Sequence, residues 1–145
     1  MADNDTIITE MPVDEAWRQL GSAALGHIAF VIDGAPEIFP INYAVDGHTV
    51  LLRTAPGTKL FGITVNPRVA IETEQYDATT GWSVIAKGTA EVLTDDAALD
   101  AADEAGLRPW VPTIKENVVR IAVDEITGRR FRFGPEPESV PEGAA

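Results

Sequence analysis

Arg53 and Lys59 stand on either side of a Pro56-Gly57 pair in residues 50–62, VLLRTAPGTKLFG, with Thr54 and Thr58 beside them. Read as a strand that leaves through a tight turn into a short helix, this stretch gathers helix-start amides, hydroxyls and an ammonium at one spot. That donor set holds a phosphate. Thr58 stands where a helix N-cap is expected. The stretch is not a phosphate loop of the Walker type, because it has one glycine and its lysine follows the threonine. A plain strand-to-helix connection with a capping threonine has the same spacing, so residue types alone leave both readings open.

Little else in the chain supplies protein-borne chemistry. G-x-S-x-G, H-E-x-x-H and G-x-G-x-x-G are all missing, so no nucleophile comes with its own base. With no cysteine and two histidines, there is no thiolate, disulfide framework or histidine-rich metal centre. His27 and His48 read as a strand residue and a hairpin residue. No residue is therefore assigned a catalytic acid, base or metal-ligand role.

The elements that must position the stretch follow from periodicity. Val13, Ala16, Trp17, Leu20 and Ala24 recur at helical spacing after Pro12, predicting a helix over roughly residues 12–24. HIAFVI, EIFPINYAV and TVLLRT are strand-like runs separated by Asp33-Gly34 and Asp46-Gly47, and the simplest arrangement is a three-stranded meander. Pro40 in the second run predicts a bulge or a sheet edge. A short helix over residues 58–65 follows, then strands RVAIETEQ and WSVIAKGTAEVL, a helix from about Asp95, and strands VVRIAVDEI and RRFRF. Gly88 in the long strand predicts a bend or a close approach. Many short strands and few helices fit a closed antiparallel barrel, a mainly β fold.

At 145 residues, 45% of them hydrophobic, the chain is one ordinary domain. We expect a flexible N-terminus over residues 1–11, a folded domain over 12–133 and a flexible acidic tail over 134–145. The formal charge of −12 argues against nucleic acid or an anionic membrane as partner. Neither a signal peptide nor an apolar run of spanning length is visible, which predicts a cytoplasmic protein. The acids cluster in residues 3–15, 94–106 and the tail, leaving the centre of the chain comparatively free of negative charge. Solvated faces account for these runs.

The series LGHIAFVIDGAPEIFPINYAVDGHTVLLRTAPGTKLFGITVNPRVAIETEQ, TGWSVIAKGTAEVL and ITGRRFRF resembles the pyridoxamine 5'-phosphate oxidase-like family of flavin-binding split barrels. It is most similar to the small branch that includes nitroimidazole-resistance proteins, over about residues 12–133. The resemblance implies a six-stranded antiparallel Greek-key split β-barrel and a homodimer with flavin mononucleotide (FMN) bound between protomers. By the same resemblance, Arg53 and Thr54 lie beside the flavin and Thr58 and Lys59 bind its phosphate. Asn42 and Tyr43 face the ring, and Trp82 and Ser83 reach the cofactor, sometimes across the interface. Tyr43 and Trp82 equally suit the barrel core or a dimer interface, and Asn42 a turn or bulge near Pro40. Arg120, Arg129, Arg130 and Arg132 read as surface charges offsetting the acidic runs.

What the resemblance implies about activity is a flavin-dependent oxidoreductase moving a hydride or electrons to or from a small-molecule substrate. LLRTAPG has arginine where nitroimidazole-resistance relatives carry a histidine, so that activity does not carry over. Oxidation of pyridoxamine phosphate needs a second phosphate site and an arginine-rich, tryptophan-containing C-terminus, which ITGRRFRFGPEPESVPEGAA does not supply. The alternatives are a deazaflavin-dependent reductase, which an alanine-rich, lysine-poor bacterial composition suits, and a non-catalytic flavin- or haem-binding protein.

Overall fold

A computed structural model describes residues 7–55, 57–107 and 117–134. Among these residues, eight strands are interrupted by three helices along the chain. The first strand, β1 (Ile8–Glu10), pairs with the last, so three residues expected to be flexible are part of the sheet. Residues 1–6, and the tail beyond residue 134, lie outside the described residues.

Helix α1 (Val13–Ser22) begins after Pro12 and buries Ala16 and Leu20, one turn apart, while Asp14 and Glu15 suit the positive end of its dipole. Strands β2 (Leu25–Ile32) and β3 (Ala35–Asn42) form a hairpin in full register from Leu25↔Asn42 to Ile32↔Ala35. Its turn is Asp33-Gly34, both at positive φ (53° and 78°), the backbone that such a two-residue hairpin requires. β4 (Ala44–Asp46) and β5 (Thr49–Thr54) make a second hairpin. Helix α2 (Thr58–Val65), β6 (Arg68–Tyr76), β7 (Thr80–Leu93), helix α3 (Asp96–Glu104) and β8 (Asn117–Arg132) complete the order.

The sheet runs β3-β2-β6-β7-β8-β5-β4, with β1 on β8. The expected meander does not form, because β5 pairs with β8 and not with β3. β3 and β4, at opposite ends of this path, are consecutive in the chain with only Tyr43 between them. One stretch of chain thus joins the two ends of the sheet and curls it into a barrel. Pro40 lies in β3, at the end of the path and without a register shift, so of the two expected outcomes the edge is realised. β8 is a single strand where two had been expected. Its one irregularity lies opposite Lys87 and Gly88, where Asp124 is the extra residue. A Cβ on Gly88 would lie 2.1 Å from the Ala122 carbonyl oxygen, which explains the glycine by close approach.

The main core fills the barrel with Ile28, Phe30, Ile41, Val50, Leu52, Ile71, Val84 and Ile121. A second cluster outside the barrel packs Ala98 and Ala102 of α3 on Leu51 of β5 and Val118 of β8. β5 is therefore covered on both faces.

Candidate functional site

β5 ends at Thr54 and α2 begins at Thr58, so strand end and helix start are neighbours, as the spacing predicts. Gly57 takes the N-cap position and no side chain caps the helix. Thr58, expected as the cap, is the first helical residue instead, and its side chain is exposed. A glycine cap offers no side-chain oxygen to the first-turn amides, and that turn carries no acidic residue. Lys59 and the helix dipole favour an anion there, and Arg53, nearby on the chain, adds a positive charge that Asp103 partly offsets. Arg53 also donates from Nη1 to Asp103 Oδ1 of α3 at 3.1 Å.

Strand alternation sorts the six remaining candidates, which form three adjacent pairs. Neighbouring residues in a strand point to opposite faces, so a ligand on one face meets one member of each pair. Thr54 is buried on the same side as Val50 and Leu52, with its hydroxyl on the Ala55 carbonyl, while Arg53 lies on the α3 side. Tyr43 belongs to the core and donates its hydroxyl to the Leu20 carbonyl at 2.6 Å. Burial pushes the Tyr43 pKa up to about 12, with a Thr73 hydrogen bond opposing this and Glu72 adding to it. Trp82 packs against the core. The outward members are Asn42, Arg53 and Ser83; Tyr43, Thr54 and Trp82 serve the barrel interior.

Sheet register separates these outward residues. Asn42 pairs with Leu25 at the start of β2, and Ser83 pairs with Glu74 and Arg129. Arg53 pairs with Val118, eleven positions from Arg129 along β8. That is roughly 35 Å of strand contour at about 3.3 Å per residue. Arg53, Thr58 and Lys59 therefore sit toward one end of β8 and Ser83 toward the other. Asn42, two residues before the Ala44 that pairs with Leu51, returns to the β5 side through the closing stretch of the barrel.

Between the two ends, the outer face of β3, β2, β6 and β7 carries Ile38 (66% exposed), Leu25 (54%) and Val31 (42%), with Ile85, Pro36 and Pro40. His27 Nδ1 and Glu72 Oε1, 3.7 Å apart, interrupt this apolar surface. Partial burial raises the Glu72 pKa, Glu74 adds to the effect, and His27 offsets it.

Several residues that shape these surfaces were not singled out from sequence. Asp103 lies in an acidic run that reads as a solvated face, and nothing in the sequence reveals its partner fifty residues away. Tyr76, exposed beside the β6–β7 hairpin, is hinted at by the aromatic next to a turn in QYDATTGW. Among the described residues, no group of three or more His, Cys, Asp or Glu could hold a metal ion. Among the same residues, no helix is long and apolar enough to cross a membrane.

An antiparallel barrel closed by its own chain, with an uncapped helix start after a strand end, defines the class as a split barrel. The family model for pyridoxamine 5'-phosphate oxidase matches residues 12–130, and the chain belongs to that family. An uncharacterised Mycobacterium tuberculosis protein is 51% identical over 94 residues, 65% of this chain and 86% of its own length. The solved structure of the FAD-binding protein from Mycobacterium smegmatis is 43% identical, with a TM-score of 0.74, over 86% of this chain and 99% of that one. A Bacteroides thetaiotaomicron protein named for 5-nitroimidazole antibiotic resistance shares the fold at 17% identity and a TM-score of 0.72, over 86% of this chain and 89% of that one.

Proposed function

We propose that this protein is a flavin-dependent oxidoreductase that binds FMN and acts on a small-molecule substrate. The observation that carries the proposal is the start of α2, where a glycine cap, an acid-free first turn and Lys59 together favour an anion. A phosphate suits that donor set. The FAD-binding relative at 43% identity supports a flavin as the molecule that brings the phosphate.

When bound, the flavin supplies the hydride or electron transfer, and the chain supplies binding, orientation and polarity. Thr58, Lys59 and the first-turn amides would hold the phosphate, with Arg53 adding positive charge. Ser83, the outward residue at the other end of β8, and Asn42, joined through Tyr43 to the strand beside β5, would meet the ring. Roughly 35 Å of contour along β8 separates Arg53 from Ser83, which favours a cofactor that meets Ser83 from a second chain. Apposing two copies through the outer face of β3, β2, β6 and β7 would bury its apolar residues and create two equivalent sites, as an isologous two-fold interface must.

Comparing FMN with riboflavin tests the phosphate assignment. Lys59→Ala should weaken FMN binding by about ten- to a hundredfold, the worth of one charge-assisted hydrogen bond, and leave riboflavin affinity within about twofold. Equal losses for both ligands would mean that Lys59 acts through the fold. No loss for either would remove the phosphate from this turn.

A further inference from the structure

The outer face ends, beyond Ser83, at Gly81 of β7, which pairs with Tyr76 of β6 and with Phe131 of β8. Gly81 is buried, yet the side chains around it are not. Tyr76 is 78% exposed and Phe133 45% exposed. A Cβ at position 81 would lie 3.0 Å from Phe133 Cζ and 3.0 Å from Tyr76 Cβ, so both residues crowd the bare glycine backbone. The Phe133 amide donates to the Thr79 carbonyl at 2.7 Å, which anchors that residue to the β6–β7 hairpin. The Phe133 backbone is thus anchored beside Tyr76, and both aromatic side chains remain largely uncovered.

Beside them is a cleft of about 320 Å³ lined by Gln75, Tyr76, Asp77, Thr80, Gly81 and Trp82. That volume is at the lower end of the range for small-molecule sites. The Asp77 carboxylate is fixed in the cleft: Oδ1 accepts the amides of Thr79 and Thr80 at 2.8 Å each. These hydrogen bonds hold its pKa below the usual carboxylate value. Oδ2 has one long contact, 3.4 Å to Thr80 Oγ1, and retains capacity to accept.

We propose that Tyr76 and Phe133 form a stacking shelf for a planar, non-anionic nitrogen heterocycle, with Asp77 Oδ2 accepting a ring N–H. The aromatic faces select flat rings, and the fixed carboxylate disfavours anionic ones. This deepens the flavin reading and rests on it only for the suggestion that the cofactor's ring is one such heterocycle. A substrate ring would be recognised by the same chemistry.

Lumichrome, a neutral tricycle without the ribityl phosphate, is the probe. Titrated calorimetrically into the full-length protein, it should bind, and Tyr76→Ala should weaken it about five- to a hundredfold, the range for loss of one stacked aromatic. This substitution keeps the Cβ against Gly81 and removes only the ring. Asp77→Asn, which retains the turn acceptor, should weaken lumichrome about tenfold by losing a charged acceptor. Repeating the titration on FMN-loaded protein separates the two sources. Exclusion by FMN means that the shelf takes the cofactor's ring, and undiminished binding means that it takes a substrate's. Failure of lumichrome to bind, or unchanged affinity in Tyr76→Ala, overturns the shelf. So does a Tyr76→Ala variant that changes oligomeric mass while lumichrome affinity stays constant. Lys59→Ala should not affect lumichrome, so the phosphate cradle and the shelf can fail independently.

Discussion

Arg53 Nη1 lies 3.1 Å from Asp103 Oδ1, tying the last turn of α3 to the strand that runs out toward α2. The acid is poorly placed for its own helix, since a carboxylate near a C-terminus opposes the dipole and no basic residue stands in that turn. Its partner on β5 offsets that cost. The same contact occupies the guanidinium that the proposed phosphate would use.

Asp103→Asn should therefore change two measurements differently. Stability should fall by no more than about 1 kcal/mol, because Asp103 is well exposed and such pairs are weak. FMN should bind a few-fold more tightly and riboflavin should not respond. Unchanged FMN affinity would place Arg53 outside the site, and loosened riboflavin binding would show that α3 itself shapes it.

Gly88→Ala should destabilise the barrel by about 1–3 kcal/mol, the usual penalty for forcing extra volume into packed structure. The atom it meets is a backbone carbonyl at the β7–β8 irregularity, not the end of a flexible side chain. Thermal melting checks this. A melting temperature within a degree of the parent would mean that the two strands separate easily there.

How much of this could be read from sequence depended on whether a segment's burial pattern was one-sided. Helix α2 and the Asp33-Gly34 hairpin were legible because glycine and the turn pairs mark them locally. The direction of Thr54 was not. Val50, Leu51 and Leu52 are consecutive and all buried, since the barrel covers one face of β5 and α3 the other, and the period-two signal that would expose the phase is erased. Tyr43 was obscured differently. It is the single residue at which the chain passes from one end of the sheet to the other, a role that no local pattern encodes. Asn42 and Ser83 were named by resemblance; the separation of Ser83 from Arg53 along β8, and the return of Asn42 to the β5 side through Tyr43, follow only from the sheet register.

The outer face gives a third prediction. Ile38 and Ile85 lie on it with Leu25 and Val31, and a dimer through this face should have about twice the mass of the 15.5 kDa chain. Ile38→Glu should yield monomers by light scattering at micromolar concentration, because an unpaired carboxylate in an apolar interface is strongly disfavoured. FMN binding should be lost with the dimer, although Lys59 and α2 are untouched. A monomeric variant that retains FMN at full affinity would confine the site to one chain.

Tyr43 gives the last prediction, in the alkaline range. Its hydroxyl is buried on the Leu20 carbonyl, and its pKa is raised from the ordinary 10.0 to about 12, chiefly by burial. The unfolded chain therefore releases this proton at a lower pH than the folded one does. A group of this kind contributes stability fully present below pH 10, and that contribution is lost as the pH rises from 10 toward 12. Tyr43→Phe should cost about 1 kcal/mol at pH 7, through the lost hydrogen bond and the carbonyl it leaves. Between pH 10 and 12 the gap between parent and variant should narrow, because the variant has no phenol to ionise. Urea midpoints at pH 7, 9.5 and 11.5 measure this, and other groups titrating in that range cancel in the difference. A gap that stays constant across the series would mean that Tyr43 ionises as easily in the fold as outside it, and would contradict its placement in the sealed interior between α1 and β6.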